Sequence, residues 1–399
     1  MRRLPSTFST ENFNVVWRQS RDSKSLRYGG AGVDGITAPA FKMRLDENIL
    51  RIRSEIKSGI FRFGKLRLAP VPKSSGGFRI IAIPTVRDRL VQRVILHHLE
   101  SDTKFDASSP ISYGFLKGRT LPDAQRQAIA LRDERPWVLQ ADIVKFFDNI
   151  QRDIVKKLVK RQVRSNIVSE LIQSAIDCEL EESGKQGAQI ARENGIQKGR
   201  GLRQGMPLSP LLSNLLLKKF DQVLDQHGIK AVRYADDIAV FGLSKNDCKD
   251  ALTIIQSELS KIGLRIPGLG DNSKTTLTPP SEIIEFLGID IKLSEGRYRP
   301  YAPTRKIEEI KKAMIKNSSM ENCIKYRLNI GQIVKHLDSF TIGHSASMAL
   351  IDDHEAFVGR IEAAKMEALQ KLLVEIFGTK VISSLDKTKL AIIGINEFR

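Results

Sequence analysis

Apolar side chains follow two rhythms along the chain, and each change of rhythm marks an element. Residues 41–57 read as a polar amphipathic helix. Leu66 to Pro72 and Phe78 to Pro84 then read as two short strands joined by Lys73-Ser74-Ser75-Gly76-Gly77, a basic hairpin. Val86 to Leu99 sets Leu90, Val91, Val94, Ile95 and Leu99 at the spacing of a helix with one buried face. Neighbouring His97 and His98 point in different directions on such a helix, which suits core or surface better than a shared metal. Trp137 to Val144 is a short, mostly apolar run ending in a charged cluster, and Ile154, Val155, Leu158 and Val159 mark the helix that follows. Residues 183–201 are polar and Gly-rich and lead into Pro210 to Leu224, where Leu211, Leu212, Leu215 and Leu216 make a buried stripe. Between Ala231 and Phe241 two apolar half-strands flank Tyr234-Ala235-Asp236-Asp237, the pattern of a tight hairpin with acids at its turn. A further strand pair is expected at Ile283 to Lys292 and Arg297 to Pro300. Beyond Pro303 the spacing turns helical, with Gly378 placed as a C-terminal stop. The alternation predicts a mixed α/β (α+β) fold with a separate helical domain from about residue 301.

Composition narrows the partners. The chain has 399 residues, 41% hydrophobic and 28% charged, enough for two or three packed domains and too apolar for wholesale disorder. Lys and Arg number 64 against 46 Asp and Glu, a net charge of +18, which favours polyanionic partners such as nucleic acid. The excess is uneven: residues 1–80 hold 16 basic and 6 acidic side chains, residues 301–399 hold 15 and 12. Cys178, Cys248 and Cys323 form no C-x-x-C pair, so neither a zinc site nor a disulfide framework is suggested, and a reducing, cytoplasmic setting is expected. No apolar run approaches a membrane span and no repeat or low-complexity tract occurs.

Three carboxylates stand out by context: Asp142 at the end of an apolar strand, and Asp236 with Asp237 at the tip of an apolar hairpin. Acids brought close in such places repel unless a proton or a cation lies between them. Hard oxygen ligands suit Mg2+, and a pair of such ions serves phosphoryl or nucleotidyl transfer. A lone Asp-Asp pair in a turn reads more simply as turn residues; the surrounding set is what counts here.

That set resembles the reverse transcriptase family over most of residues 28–290. Gly32-Val33-Asp34-Gly35 looks like the N-terminal block of the bacterial group II intron enzymes. Val71-Pro72-Lys73, Gly76-Gly77-Phe78-Arg79, Ile83-Pro84 and Asp88-Arg89-Leu90-Val91-Gln92 are similar to the fingers blocks, and Tyr113-Gly114-Phe115 with Gly118-Arg119 to the next. The run from Asp142 through Phe147 to Ile150 resembles the first palm motif, Arg203-Gln204-Gly205 through Asn214 the second, and Tyr234-Ala235-Asp236-Asp237 (YADD) the third. Lys274-Thr275 and Phe286-Leu287-Gly288 look like the fourth motif and the primer grip.

The resemblance implies a right-hand polymerase: N-terminal extension and fingers over residues 1–135, palm over 136–300, and an α-helical thumb with a C-terminal segment over 301–399. It implies Asp142, Ile143, Asp236 and Asp237 as the set about two Mg2+ ions, which Mn2+ can replace, with Asp237 contributing charge more than ligation. Lys73 and Arg79 would clamp the incoming dNTP, the Arg fork suiting phosphate. Phe147 would clash with a 2′-hydroxyl, although a Phe at a helix start also reads as core. Gln204 and Gly205 would lie against the nucleotide, and Lys274 would protonate pyrophosphate or be a solvated loop lysine. The second palm motif reads Gln-Gly-Met-Pro-Leu-Ser-Pro where Gln-Gly-Ser-Pro-Ile-Ser-Pro is commoner, and no nuclease or ribonuclease H cluster follows, which disfavours intron splicing. A compact enzyme of the retron and antiviral defence-associated kind is expected, copying a structured non-coding RNA onto a DNA primer, without membrane, and with an RNA-bridged oligomer or protein partner left open. Template-independent or protein-primed synthesis, and a catalytically silent RNA-binding scaffold, are the alternatives; RNA polymerisation is disfavoured by Phe147.

Overall fold

A computed structural model describes residues 3–20, 22, 30–73, 77–181, 184–271 and 273–380. In chain order the elements are α1 (Thr10–Gln19), α2 (Ala38–Met43), α3 (Leu45–Ser58), β1 (Arg67–Pro72), β2 (Phe78–Ile83), α4 (Val86–Ser101), α5 (Leu121–Glu134), β3 (Trp137–Asp142), α6 (Phe146–Asn149), α7 (Arg152–Gln162), α8 (Asn166–Ile176), α9 (Gly184–Glu193) and α10 (Ser209–Gln226). There follow β4 (Lys230–Tyr234), β5 (Asp237–Gly242), α11 (Lys245–Lys261), β6 (Thr276–Thr278), β7 (Ile284–Phe286), β8 (Ile289–Ser294), β9 (Arg297–Tyr301), α12 (Thr304–Asn317), α13 (Met320–Tyr326), α14 (Ile330–Ser347) and α15 (His354–Phe377). They fall into two units, one from residues 1–120 and 139–277, the other from 121–138 and 278–399.

In the first unit a four-stranded sheet runs in the order β4-β5-β3-β6, and β1 and β2 form a separate hairpin. The β1–β2 register pairs Arg67 with Ile83 and Pro72 with Phe78, so Lys73 and Arg79 flank the turn; Ser74–Gly76 lie outside the described residues. Thr85 starts α4 by accepting a hydrogen bond from the Asp88 amide, and Leu90, Val91, Val94, Ile95 and Leu99 are buried along it. Pro210 in the first turn of α10 suits a helix start, and α11 opens on a capping box between Ser244 and Asp247. The helix expected over 41–57 is two, because Arg44 leaves helical geometry at φ −125° and ψ 41°. The polar stretch 183–201 contains α9, and helix and Gly-rich loop share it.

In the second unit β7, β8 and β9 form an antiparallel sheet. A single strand was expected over Ile283 to Lys292. Leu287 and Gly288 instead take positive φ, 52° and 82°, and fold it into a two-residue hairpin pairing Phe286 with Ile289. Arg132 of α5 is fully buried, donates to the Ile291 and Glu282 carbonyls, and lies 4.3 Å from the Tyr298 ring centre. Helices α12 to α15 bury Met314, Leu337, Phe357, Ile361 and Leu372, and Gly378 ends α15 at φ 80°. Among the described residues no helix is long and apolar enough to cross a membrane. All three cysteines are buried and carry free thiols.

Candidate active site

Asp142 is the last residue of β3, and Asp236 lies in the two-residue turn between β4 and β5, where Tyr234 pairs with Asp237. The Ile143 amide donates to the Asp236 carbonyl at 3.2 Å, so the strand end and the turn are joined through their backbones. Ala235 holds φ 59°, a left-handed conformation that disfavours any side chain, and needs outside support. That support is a buried polar cluster. Arg233, wholly buried, donates to Asp221 (2.7 and 2.5 Å), to Asn214 (3.1 Å), to the Ser112 hydroxyl (2.8 Å) and to the Ala235 carbonyl (2.9 Å). Gly114 closes against the turn, where a Cβ would lie 2.7 Å from the Ala235 nitrogen, and its carbonyl accepts from Asn214 at 2.7 Å.

Asp142 and Asp236 face one cleft of about 490 Å³. Burial and the neighbouring Asp142 charge push the Asp236 carboxyl up to about 6. Asp237 is exposed and outside the cleft lining, yet burial of its carboxyl and the Asp142 charge raise it too, with Lys274 opposing. The Lys274 ammonium donates to Asp142 at 2.7 Å, and that bond raises its pKa. Lys73, Arg79, Ile143, Phe147, Gln204 and Lys274 also line the cleft. Phe147 is half-buried, its ring 5.2 Å from that of Phe146. Gly205 does not line the cleft: it makes room for β2, since at φ 104° a Cβ would meet the Ala82 carbonyl oxygen at 2.6 Å. Beside it the Gln204 carbonyl accepts from the Ala82 amide at 2.7 Å.

Lys145 and Asp148 also line the cleft, and sequence reasoning passed over both. Burial raises the Asp148 carboxyl, with the Arg203, Lys145 and Lys73 charges opposing. Lys145 takes φ 46° at the start of α6, a strained position three residues after the strand-end acid. Arg203 and Arg152 both donate to Glu179, each at 2.6 Å, and hold the loop that precedes α10. The Asp221–Arg233 pair was missed as well; its signal was a charged residue inside each of two apolar runs.

Among the described residues no three His, Cys, Asp or Glu side chains form a self-contained metal site. Two carboxylates, with the remaining positions filled by substrate phosphate and water, are nevertheless what Mg2+ commonly takes. Burial first and the Asp142 charge second raise the Asp236 carboxyl, and a cation bound between the two carboxylates would offset both, so the donor set fits the ion.

Residues 71–291 match the family model described as reverse transcriptase (RNA-dependent DNA polymerase). The chain belongs to the reverse transcriptase family. The right-hand polymerase fold follows from that membership. Protein YkfC of Escherichia coli is 31% identical over 200 residues, 49% of this chain and 50% of that protein. The retron Ec83 reverse transcriptase of Escherichia coli is 25% identical over 262 residues, 62% of this chain and 76% of that one. A telomerase from Candida albicans, solved with a telomeric RNA fragment, superposes with a TM-score of 0.45 at 12% identity, covering 89% of this chain and 72% of that chain. The chain thus spans half the length of YkfC.

Proposed function

We propose that the chain is an RNA-directed DNA polymerase that extends a primer 3′-hydroxyl with dNTPs. The observation that carries this reading is one cleft in which Asp142 and Asp236 meet while Lys73 and Arg79 line the same space. Asp142, Asp236 and the Ile143 carbonyl would hold Mg2+, with Asp237 adding charge from outside. When bound, a pair of such ions supplies activation of the attacking hydroxyl and neutralisation of the leaving pyrophosphate. Lys73 and Arg79 bind the triphosphate and take up charge as it moves to the leaving group. Phe147 lies under the sugar and excludes a 2′-hydroxyl, Gln204 positions the nucleotide, and Lys274 donates a proton to pyrophosphate.

Fingers over 1–135, palm over 136–300 and thumb over 301–399 are the corresponding domain assignment. The similarity to a retron enzyme and the basic N-terminal region support a structured non-coding RNA as template, and with it a role in bacterial antiviral defence in the cytoplasm. The test is primer extension on RNA by the wild type and by Asp236→Ala/Asp237→Ala. Loss of synthesis with retained RNA binding is expected; unchanged synthesis refutes the assignment. Sequencing products made with each dNTP omitted separates templated copying from template-independent or protein-primed addition.

A further inference from the structure

Helix α7 and the link after it, residues 152–164, carry six basic side chains and one acid. Val155 and Val159 are buried and α7 packs on α8 and α10, so its inner face is accounted for. Two of the six cations are also used: Arg152 bonds Glu179 and the Gly201 carbonyl, and Lys156 pairs with Asp177. The other four, Lys157, Lys160, Arg161 and Arg164, are exposed, and among the described residues none makes an ion pair or hydrogen bond. Lys157, Lys160 and Arg161 stand at i, i+3 and i+4, one stripe of the helix with about 6 Å of axis between first and last. Some cations elsewhere are balanced, Arg305 by Glu285, Lys311 by Glu367 and Arg299 by Asp352; Lys42, Lys117, Lys219 and Lys249 are exposed singly, and what sets α7 apart is the stripe. A helix end gains from a cation near its carbonyls, but the last turn of α7 already has two in Lys160 and Arg161, and Arg164 lies beyond it.

We propose that this face is a second nucleic-acid contact, separate from the catalytic cleft, that holds the phosphate backbone of a double-stranded segment of the RNA. None of its four cations lines the cleft. A membrane partner would call for exposed apolar side chains, and among the described residues no large one is exposed between 116 and 242. A single strand would call for aromatic stacking platforms, and residues 152–164 hold no Phe, Tyr, Trp or His. Duplex RNA is held largely through backbone and shape, which unpaired cations on a rigid helix suit. The choice of RNA over DNA rests on the proposed RNA-templated activity. Because Arg152 ties the base of α7 to the loop before α10, the face is mounted on the element that shapes the cleft.

The test is the full chain carrying Lys157→Gln, Lys160→Gln, Arg161→Gln and Arg164→Gln, probed with a labelled 30-base-pair RNA duplex across a KCl series. Losing four phosphate contacts should lower the log–log salt slope by about 3.6 and weaken binding about 10- to 100-fold near 0.15 M salt. Extension of a short primer on a short unstructured RNA should stay within about twofold of wild type. Lys157→Arg/Lys160→Arg should bind as wild type does, which separates charge from helix packing if the fourfold variant melts early. Unchanged duplex affinity and slope overturn the proposal, as does loss of short-template extension with the fold intact. Equal wild-type affinity for the same duplex in DNA overturns the RNA assignment. A wild type that binds through this face but never extends a primer leaves the surface standing and removes the polymerase reading.

Discussion

Replacing Asp236 by Asn should stabilise the metal-free protein while abolishing synthesis. Folding carries the carboxyl from an ordinary 3.8 to about 6, through burial first and the Asp142 charge second. The folded state therefore favours the protonated form. Its contribution is fully present below pH 3.8 and is lost as pH rises through 6. A shift of about two pH units corresponds to about 3 kcal/mol of destabilisation at neutral pH, at roughly 1.4 kcal/mol per unit. Asn keeps the shape and removes the charge, so in EDTA at pH 7.5 its melting temperature should exceed that of wild type by on the order of 5 °C. At pH 4 the two should nearly coincide. Mg2+ should raise the wild-type melting temperature and leave the variant almost unmoved, since one of two carboxylate ligands is gone. Differential scanning fluorimetry over pH 4–8, with and without Mg2+, reads all of this. A variant less stable than wild type at pH 7.5 in EDTA would show that Asp236 is a structural carboxylate, and the cation argument would fail with it.

Removing Asp221 should be costly: Asp221→Ala leaves the wholly buried Arg233 without its main partner, about 3–5 kcal/mol of destabilisation, and frees the Ala235 carbonyl contact that steadies the acidic turn. Chemical denaturation measures the first and primer extension the second; a stable, active variant would refute the support argument. Phe147→Ala should admit ribonucleotides, raising the rNTP-to-dNTP incorporation ratio about 10- to 100-fold in single-nucleotide extension, and an unchanged ratio would remove Phe147 from sugar selection. Gly205→Ala places a Cβ 2.6 Å from the Ala82 carbonyl oxygen, at a φ of 104° that alanine resists. It should lower both the melting temperature and the rate of nucleotide addition, and a neutral outcome in both would show that β2 yields easily.

Much of the site was legible because its residues break local rules. Asp142, Asp236 and Asp237 sit at the ends of apolar strands where a carboxylate has no packing reason to be, and the structure brings Asp142 and Asp236 into one cleft and leaves Asp237 outside its lining. Lys73 and Arg79 flank a turn that the Ser-Ser-Gly-Gly run between two short apolar stretches marks in the sequence. Other features depend on distant partners that no periodicity names. Arg132 reads as one polar residue of an ordinary helix until its guanidinium meets the Ile291 and Glu282 carbonyls, some 150 residues on. The Leu287–Gly288 turn was hidden because Leu seldom takes positive φ, so the apolar run looked continuous. The backbone room at Gly205 was legible as a need for glycine, but the neighbour, Ala82, was not.

The bond from the Ala82 amide to the Gln204 carbonyl has a mechanical consequence. It pins the cation-bearing hairpin near its base and leaves the tip at Lys73 and Arg79 as a lever arm. On the proposed reading, in which Lys73 and Arg79 bind the triphosphate and Gln204 positions the nucleotide, a load on the hairpin tip would be passed through this bond to the backbone of Gln204.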